Sequence, residues 1–262
     1  MSGNPGAQPG LSGVPAPAVP GQRIGRIDPP GAPAPGAPTG VAGPAAIPGP
    51  RGPGPAPGMR LYLPIPRMGW YELPLDPADR TAAIAARWTE LKATEPVLDR
   101  PEIAAAFADT LRTLASHYAR RGSQVAAIGW AAASGRPPDS VLDVKLVEPL
   151  PAESARDEAE GLTGLLMLPS PDDASPRTVQ LVDLPAGPAA RLRLLGPGGR
   201  DTTGRDVVCD IVQYWLPAPA VGATVLVSCS TSDLAGGDRV AAVVDTLVTG
   251  LTVEPRAGLS AG

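Results

Sequence analysis

The sequence predicts an α+β fold, an antiparallel sheet covered by helices, behind a disordered Pro/Gly/Ala-rich arm. Three observations carry that reading. Residues 1–58 hold 16 of the chain's 35 prolines and 14 of its 31 glycines. Apolar residues recur at helical spacing twice before Gly122 and once near the end. Between those stretches they alternate with period two in strand-length runs separated by turn residues, the segregated order typical of an antiparallel sheet with helices on it.

The first 58 residues cannot build a core. Proline removes backbone donors, glycine raises the entropy cost of ordering, and large apolar side chains are almost missing. The glycines break every-third spacing in GPRGPGPAPG, which excludes a collagen helix. PxxP spacings such as PGAP at 30–33 are expected by chance in so proline-dense a tract, so the segment reads as a linker or spacer. Residues 59–253 then form one α+β domain, and 254–262 a flexible tail.

Within the domain, MRLYLPIP (59–66) has strand character, and Pro64 and Pro66 confine it to an edge. MGWYELP (68–74) reads as a Pro-flanked loop. A helix follows, with Asp76 as cap, Pro77 in its first turn and Ile84, Trp88 and Leu91 on one face. In the second helix Ile103, Phe107, Leu111, Leu114 and Tyr118 form a stripe that Gly122 ends. QVAAIGWAA and SVLDVKLVE are strands, the second turning Asp143 and Lys145 away from Val144 and Leu146. PAESARDEAEGL (151–162) is a short helix or a loop. TVQLVDLP, AARLRLLG, VVCDIVQYWLP and ATVLVSCSTS supply further strands. GDRVAAVVDTLVTGL closes the domain as a helix with Val240, Val243, Val244, Leu247, Val248 and Leu251 on one stripe.

The most chemical stretch is VSCSTSDL (227–234). In strand phase Cys229 continues the apolar face of Val225 and Val227, while Ser228 and Ser230 face the other way, and Asp233 begins the connection to the last helix. A serine or cysteine nucleophile needs a base in reach, and the one histidine, His117, stands on the second helix beside Arg120 and Arg121. The stretch therefore reads as a strand end. GLSAG at 258–262 matches the G-x-S-x-G elbow without the strand, helix and downstream histidine that motif needs. GPGGRDTTGRD (196–206) lacks the P-loop ending and reads as a hairpin loop. Glu153, Asp157, Glu158 and Glu160 read as a solvated acidic face. No residue is assigned as catalytic, cofactor-binding or metal-binding, and no cofactor is expected.

Two pairs remain. Trp70 and Tyr71, adjacent aromatics with polar edges, are the candidate protein interface, against packing over the sheet edge. If Leu216 pairs near residue 222, Cys209 falls opposite Cys229 and a cross-strand cysteine pair is conceivable, against two free core thiols.

DLPAGPAARLRL, VVCDIVQYWLPAP, ATVLVSCSTSDL and DRVAAVVDTLVTGL together resemble the Mog1/PsbP-like domains over about 177–253, with Pro185-Ala186-Gly187, Tyr214-Trp215-Leu216-Pro217, Ser230-Thr231 and Asp245 in corresponding places. The two long helices before most of the strands depart from that pattern. The resemblance implies a central antiparallel sheet sandwiched by helices. It also implies a non-enzymatic role, since members include a partner of a small GTPase and an extrinsic subunit of a photosystem. They share no catalytic motif, so the resemblance assigns no site residues.

Charge and hydropathy bound the partners. The arm carries +2 of a net −4, leaving −6 on residues 59–262, which argues against a phosphate-tracking nucleic-acid surface. No apolar run reaches membrane-spanning length. MSGNPGAQPG has neither the basic nor the apolar region of a secretory signal, and two cysteines fit a reducing cytoplasm. The leading expectation is a cytoplasmic, non-enzymatic accessory or adaptor protein of a bacterial assembly, tethered or targeted by its arm and binding one or more protein partners. Flexible-chain scaling gives that arm a root-mean-square reach of about 40 Å. The rivals are an exported effector or cargo that leaves without a Sec signal, and a hydrolase with a site near Ser228–Asp233.

Overall fold

The computed structural model describes residues 59–66, 69–94, 101–130, 138–170, 173, 175–200 and 205–255. The arm at 1–58, the GLSAG end and residues 201–204 of the glycine-rich loop lie outside the described residues. The described residues fall within one compact unit, and their architecture is α+β with antiparallel pairing throughout. No described helix is long and apolar enough to cross a membrane.

The elements run β1 (Met59–Tyr62), β2 (Trp70–Glu72), α1 (Arg80–Thr94), α2 (Pro101–Arg120), β3 (Val125–Gly129), β4 (Ser140–Val147), α3 (Ala155–Leu166), β5 (Thr178–Leu184), β6 (Gly187–Arg200), β7 (Asp206–Ala218), β8 (Ala223–Thr231), α4 (Gly237–Thr249) and β9 (Thr252–Pro255). Seven strands form one sheet in the order β2-β3-β4-β8-β7-β6-β5, while β1 and β9 pair separately. The hairpin loops are short where the chain turns tightly. Between β7 and β8, a 3₁₀ turn at Pro219–Val221 is closed by Gly222, whose φ of 63° lies in the left-handed region.

Each face of the sheet has its own cover. Ala127, Leu142, Val144, Leu146, Val212, Tyr214, Val225, Val227 and Cys229 form a continuous apolar surface against Ala241, Val244, Leu247 and Val248 of α4. Burying that helix stripe is the main driving force for docking it, at about 25 cal/mol per Å² of apolar surface. On the opposite face the cover is split. Tyr71, Ala126 and Ile128 pack against Ile84 and Leu91 of α1 and Phe107, Leu111 and Ala115 of α2. At the far end α3 lies over β5, β6 and β7, with Ala159 and Leu162 buried. The two early helices thus share the sheet with the later strands.

Several sequence expectations change here. Trp70 and Tyr71 are not in a loop but in β2, an edge strand pairing with β3. They point to opposite faces, Trp70 into the α4-side core and Tyr71 into the α1/α2 core, and are 8% and 3% exposed. An interface through these rings has no exposed aromatic to rest on; they pack the sheet edge. The glycine-rich stretch through Arg200 continues β6 and does not start a loop. The acidic stretch is a helix, capped by Ser154, whose hydroxyl accepts from the Asp157 amide at 3.2 Å. The segment from Glu254 is not frayed at its start, because Glu254 and Pro255 pair with Arg60 and Met59.

The cysteine register also differs. Leu216 pairs with Val225, three residues beyond the expected position, because β7 runs on through Ala218 to pair with Ala223 and the turn falls at residues 219–222. Cys229 consequently lies between Val212 and Leu142 on the α4 face, while Cys209 pairs with Gly196 and points to the other face. Both thiols are free and buried, and burial pushes Cys229 up to about 12. They cannot be bridged across the sheet.

Candidate functional site

The pairing of β4, β8 and β7 dictates where the polar residues of the split face meet. Asp143 is directly opposite Ser228, and Ser228 is directly opposite Gln213. One row across three strands is therefore Asp143–Ser228–Gln213, with a spacing of about 4.8 Å from strand to strand. The neighbouring row is Val141–Ser230–Ile211, and on the other side stands Lys145–Leu226–Trp215. The alternation that buries Leu142, Val144, Val227 and Cys229 against α4 forces these polar side chains onto the face that α2 and α3 leave uncovered between them.

A cleft of about 390 Å³ opens over these rows. Val141, Asp143, Ile211, Gln213, Ser228 and Ser230 floor it, Tyr118 and Arg121 overhang it from the end of α2, and Pro197 and Gly198 of β6 close the other side. Any side chain at Gly198 would run into Cys209 Sγ, so glycine keeps that wall low.

The floor is wired in one direction. The Trp215 indole N–H can only donate, and it donates to Gln213 Oε1 at 3.2 Å. That fixes the amide so that Gln213 Nε2 donates to Ser228 Oγ at 3.4 Å. The Ser228 oxygen is thus held by an amide donor, which leaves its own hydroxyl proton to be given to something else. Beside it, Asp143 is 8% exposed; its Oδ2 pairs with Lys145 Nζ at 2.8 Å, and its Oδ1 has no hydrogen-bond partner among the described residues. Burial, then the Asp143 carboxylate, pushes the Tyr118 phenol up, so it stays a neutral hydroxyl. Burial, then Arg121, Arg120 and Lys145, hold His117 below its ordinary value, and its Nε2 lies 3.5 Å from Arg121 Nη1.

A larger hollow, about 630 Å³, runs along the β2 edge, bordered by Trp70, Leu73, Asp76, Ile84 and Arg87. Two of its polar groups are already engaged: Arg87 pairs with Glu90 at 2.7 Å, and Asp76 Oδ1 accepts from the Ala78 amide. The smaller cleft, which gathers Ser228, Ser230, Gln213, Tyr118 and Arg121, is the better candidate site.

The sequence-derived candidates divide accordingly. Ser228 and Ser230 meet in the cleft, where His117 stands near the rim without bonding either. Asp233 is elsewhere: its carboxylate accepts from the Gly236 amide at 3.1 Å, organising the turn into α4. In the acidic stretch, Glu158 is buried and accepts from the Thr224 hydroxyl, and Glu160 pairs with Arg156 at 3.2 Å. Among the described residues no three His, Cys, Asp or Glu side chains converge as metal ligands would. Sequence reasoning passed over Asp143, Lys145 and Gln213. Its one signal was that Asp143 and Lys145 turn away from the apolar face of their strand.

No protein-family model matches the chain, and a comparison with curated proteins found no match.

Proposed function

We propose that the chain is a non-enzymatic binding domain, an adaptor in a bacterial assembly, and that the cleft between α2 and α3 is its recognition surface. The observation that supports this most is the hydrogen-bonded chain Trp215–Gln213–Ser228. It presents oriented hydrogen-bonding groups on the floor of a cleft, while the serine oxygen is held by an amide and not by a base. Recognition needs only that pre-set geometry. Nucleophilic catalysis needs a base on the hydroxyl as well.

Affinity capture with the full-length chain tests this, beside the same chain carrying Ser228→Ala and Gln213→Ala together. A partner held by the first and lost by the second is the expected result. A partner held equally by both removes the cleft from recognition.

The hydrolase reading has one observation in its favour: Ser228 and Ser230 do share a cleft. Incubation with a fluorophosphonate followed by intact-mass measurement separates the two. No adduct is expected, and an adduct mapped to Ser228 or Ser230 would establish a nucleophile and overturn the adaptor.

A further inference from the structure

Independently of the cleft, we infer that the outer edge of β5 is an interface for a second copy of this chain. Two β5 strands would pair antiparallel about a two-fold axis at Gln180 and join the two seven-stranded sheets into one.

The hydrogen-bonding phase of the sheet shows what that edge offers. The Leu195 amide of β6 turns away from β7 and donates to Ser175 Oγ at 2.9 Å, on the β5 side. In an antiparallel ladder alternate residues bond to alternate sides, so Arg193, Arg191 and Ala189 also bond toward β5. Their register partners are Thr178, Gln180 and Val182. Val179, Leu181 and Asp183 therefore aim their backbone N–H and C=O outward, where none has a partner among the described residues. The far end of the sheet agrees. Carried through every ladder, the same alternation makes Ala126 bond toward β2, and its carbonyl accepts from the Leu73 amide at 2.8 Å.

The two edges of the sheet differ in how they are protected. β2 is three residues long, and Pro74 follows close behind it. β5 runs for seven residues without proline, lysine or bulge, the devices that keep an edge from pairing. Its one charge, Asp183, is paired with Arg156 at 2.6 Å.

The order of its side chains selects the occupant. Read antiparallel about Gln180, Val179 of one copy meets Leu181 of the other, Thr178 meets Val182, and the Asp183 end meets the Arg177 end. Val179 and Leu181 then satisfy their outward N–H and C=O groups on each other across the axis. Arg177 uses four of its five donors on Asp173 and on the Leu166 and Leu168 carbonyls, which leaves one Nη2 proton for the incoming carboxylate. A foreign strand would have to reproduce this order of charge and apolar residues, whereas a second copy supplies it by symmetry. Met167 and Leu168, both more than half exposed, stand at the end of α3 that Arg177 holds, beside the start of β5. They extend the apolar area available at this edge beyond that of one strand pair.

The test is analytical ultracentrifugation of the full-length chain from about 1 to about 100 µM. The native chain should pass from one chain mass to two. Gln180 is exposed and lies on the axis, so Gln180→Glu and Gln180→Lys each set like charges directly opposite and should weaken association about fivefold. An equimolar mixture of those two variants should regain the native association, which a two-fold axis through residue 180 requires. Leu181→Pro loses an N–H that points outward and not at β6, so it should stay folded and monomeric. Hydrogen exchange reads the same edge. The amides of Val179, Leu181 and Asp183 should slow as concentration rises, while those of Thr178, Gln180 and Val182 are slow throughout. A native chain that stays monomeric, association unchanged in both Gln180 variants, or a mixture that does not recover would each overturn the proposal. If the chain is monomeric and a captured partner is lost with Leu181→Pro, the edge takes a strand of another protein and the second copy fails.

Discussion

The two faces of the seven-stranded sheet are made by the same strands and do opposite things. On the α4 face arginines and a tyrosine of the sheet are paired with carboxylates of α4. Arg191 makes two bonds of 3.1 Å to Asp245, Tyr214 donates to the same carboxylate at 2.6 Å, and Arg193 bridges Asp210 at 2.6 Å and Asp238 at 2.7 Å. Gly237 lets the start of α4 approach so closely that a side chain there would strike the Asp210 carboxylate. On the split face the cover stops short, and the hydroxyls of Ser228 and Ser230 are left in the gap. Closing one face completely lets the other stay incomplete: stability is concentrated under α4, so the groups over the gap need contribute little to it.

Substitutions can break that comparison. The largest effect is expected from Leu142→Ala, fully buried under α4, at about 2–5 kcal/mol lost, while Ser228→Ala, on the open face, should stay within about 0.5 kcal/mol. Urea unfolding of both variants checks it; equal losses would mean the split face carries as much of the fold. Next, replacing the Asp143–Lys145 pair together by Leu and Met should leave stability unchanged or raise it by about 1 kcal/mol, because a partly buried ion pair recovers little of its desolvation cost. The same double variant should lose binding in the cleft, separating what the pair does for folding from what it does for recognition.

The smallest effect concerns His117. Its folded-state value lies below the ordinary 6.5, so as pH falls through 6.5 the unfolded chain takes up a proton more readily than the folded one, and stability falls. Melting temperatures at pH 7.5 and 5.5 should therefore drop slightly more for the native chain than for His117→Gln. A reversed order would mean His117 gains a partner in the folded state.

The sequence made the long alternating strands legible because one face of each is sealed. Val225, Val227 and Cys229 fall in phase only if something apolar covers them, and α4 does. Trp70 and Tyr71 were misread because three residues are too few to show a period, and the prolines around them resemble a loop. β9 was missed for a related reason, since Pro255 signals an end before the pairing with Met59 is apparent. The cysteine register failed on one turn, where the close approach of Ala218 and Ala223 moves every partner by three. The cleft was half legible. Ser228, Ser230, Asp143 and Lys145 could each be assigned to the outward phase of their strands. That β4 would pair with β8, from some eighty residues further along, is a tertiary fact that local spacing does not carry.

The separate ladder of β1 and β9 has a mechanical consequence. Met59 is paired with Pro255, so the first and last described residues share a single rung. Tension applied through both flanks would load that rung first and open the ladder like a zip, one pair at a time, instead of shearing all its bonds together. Four pairs would yield before any force reached the seven-stranded sheet. A domain held this way has a weak outer link that can pay out a few residues of slack under load while its central strands keep their register.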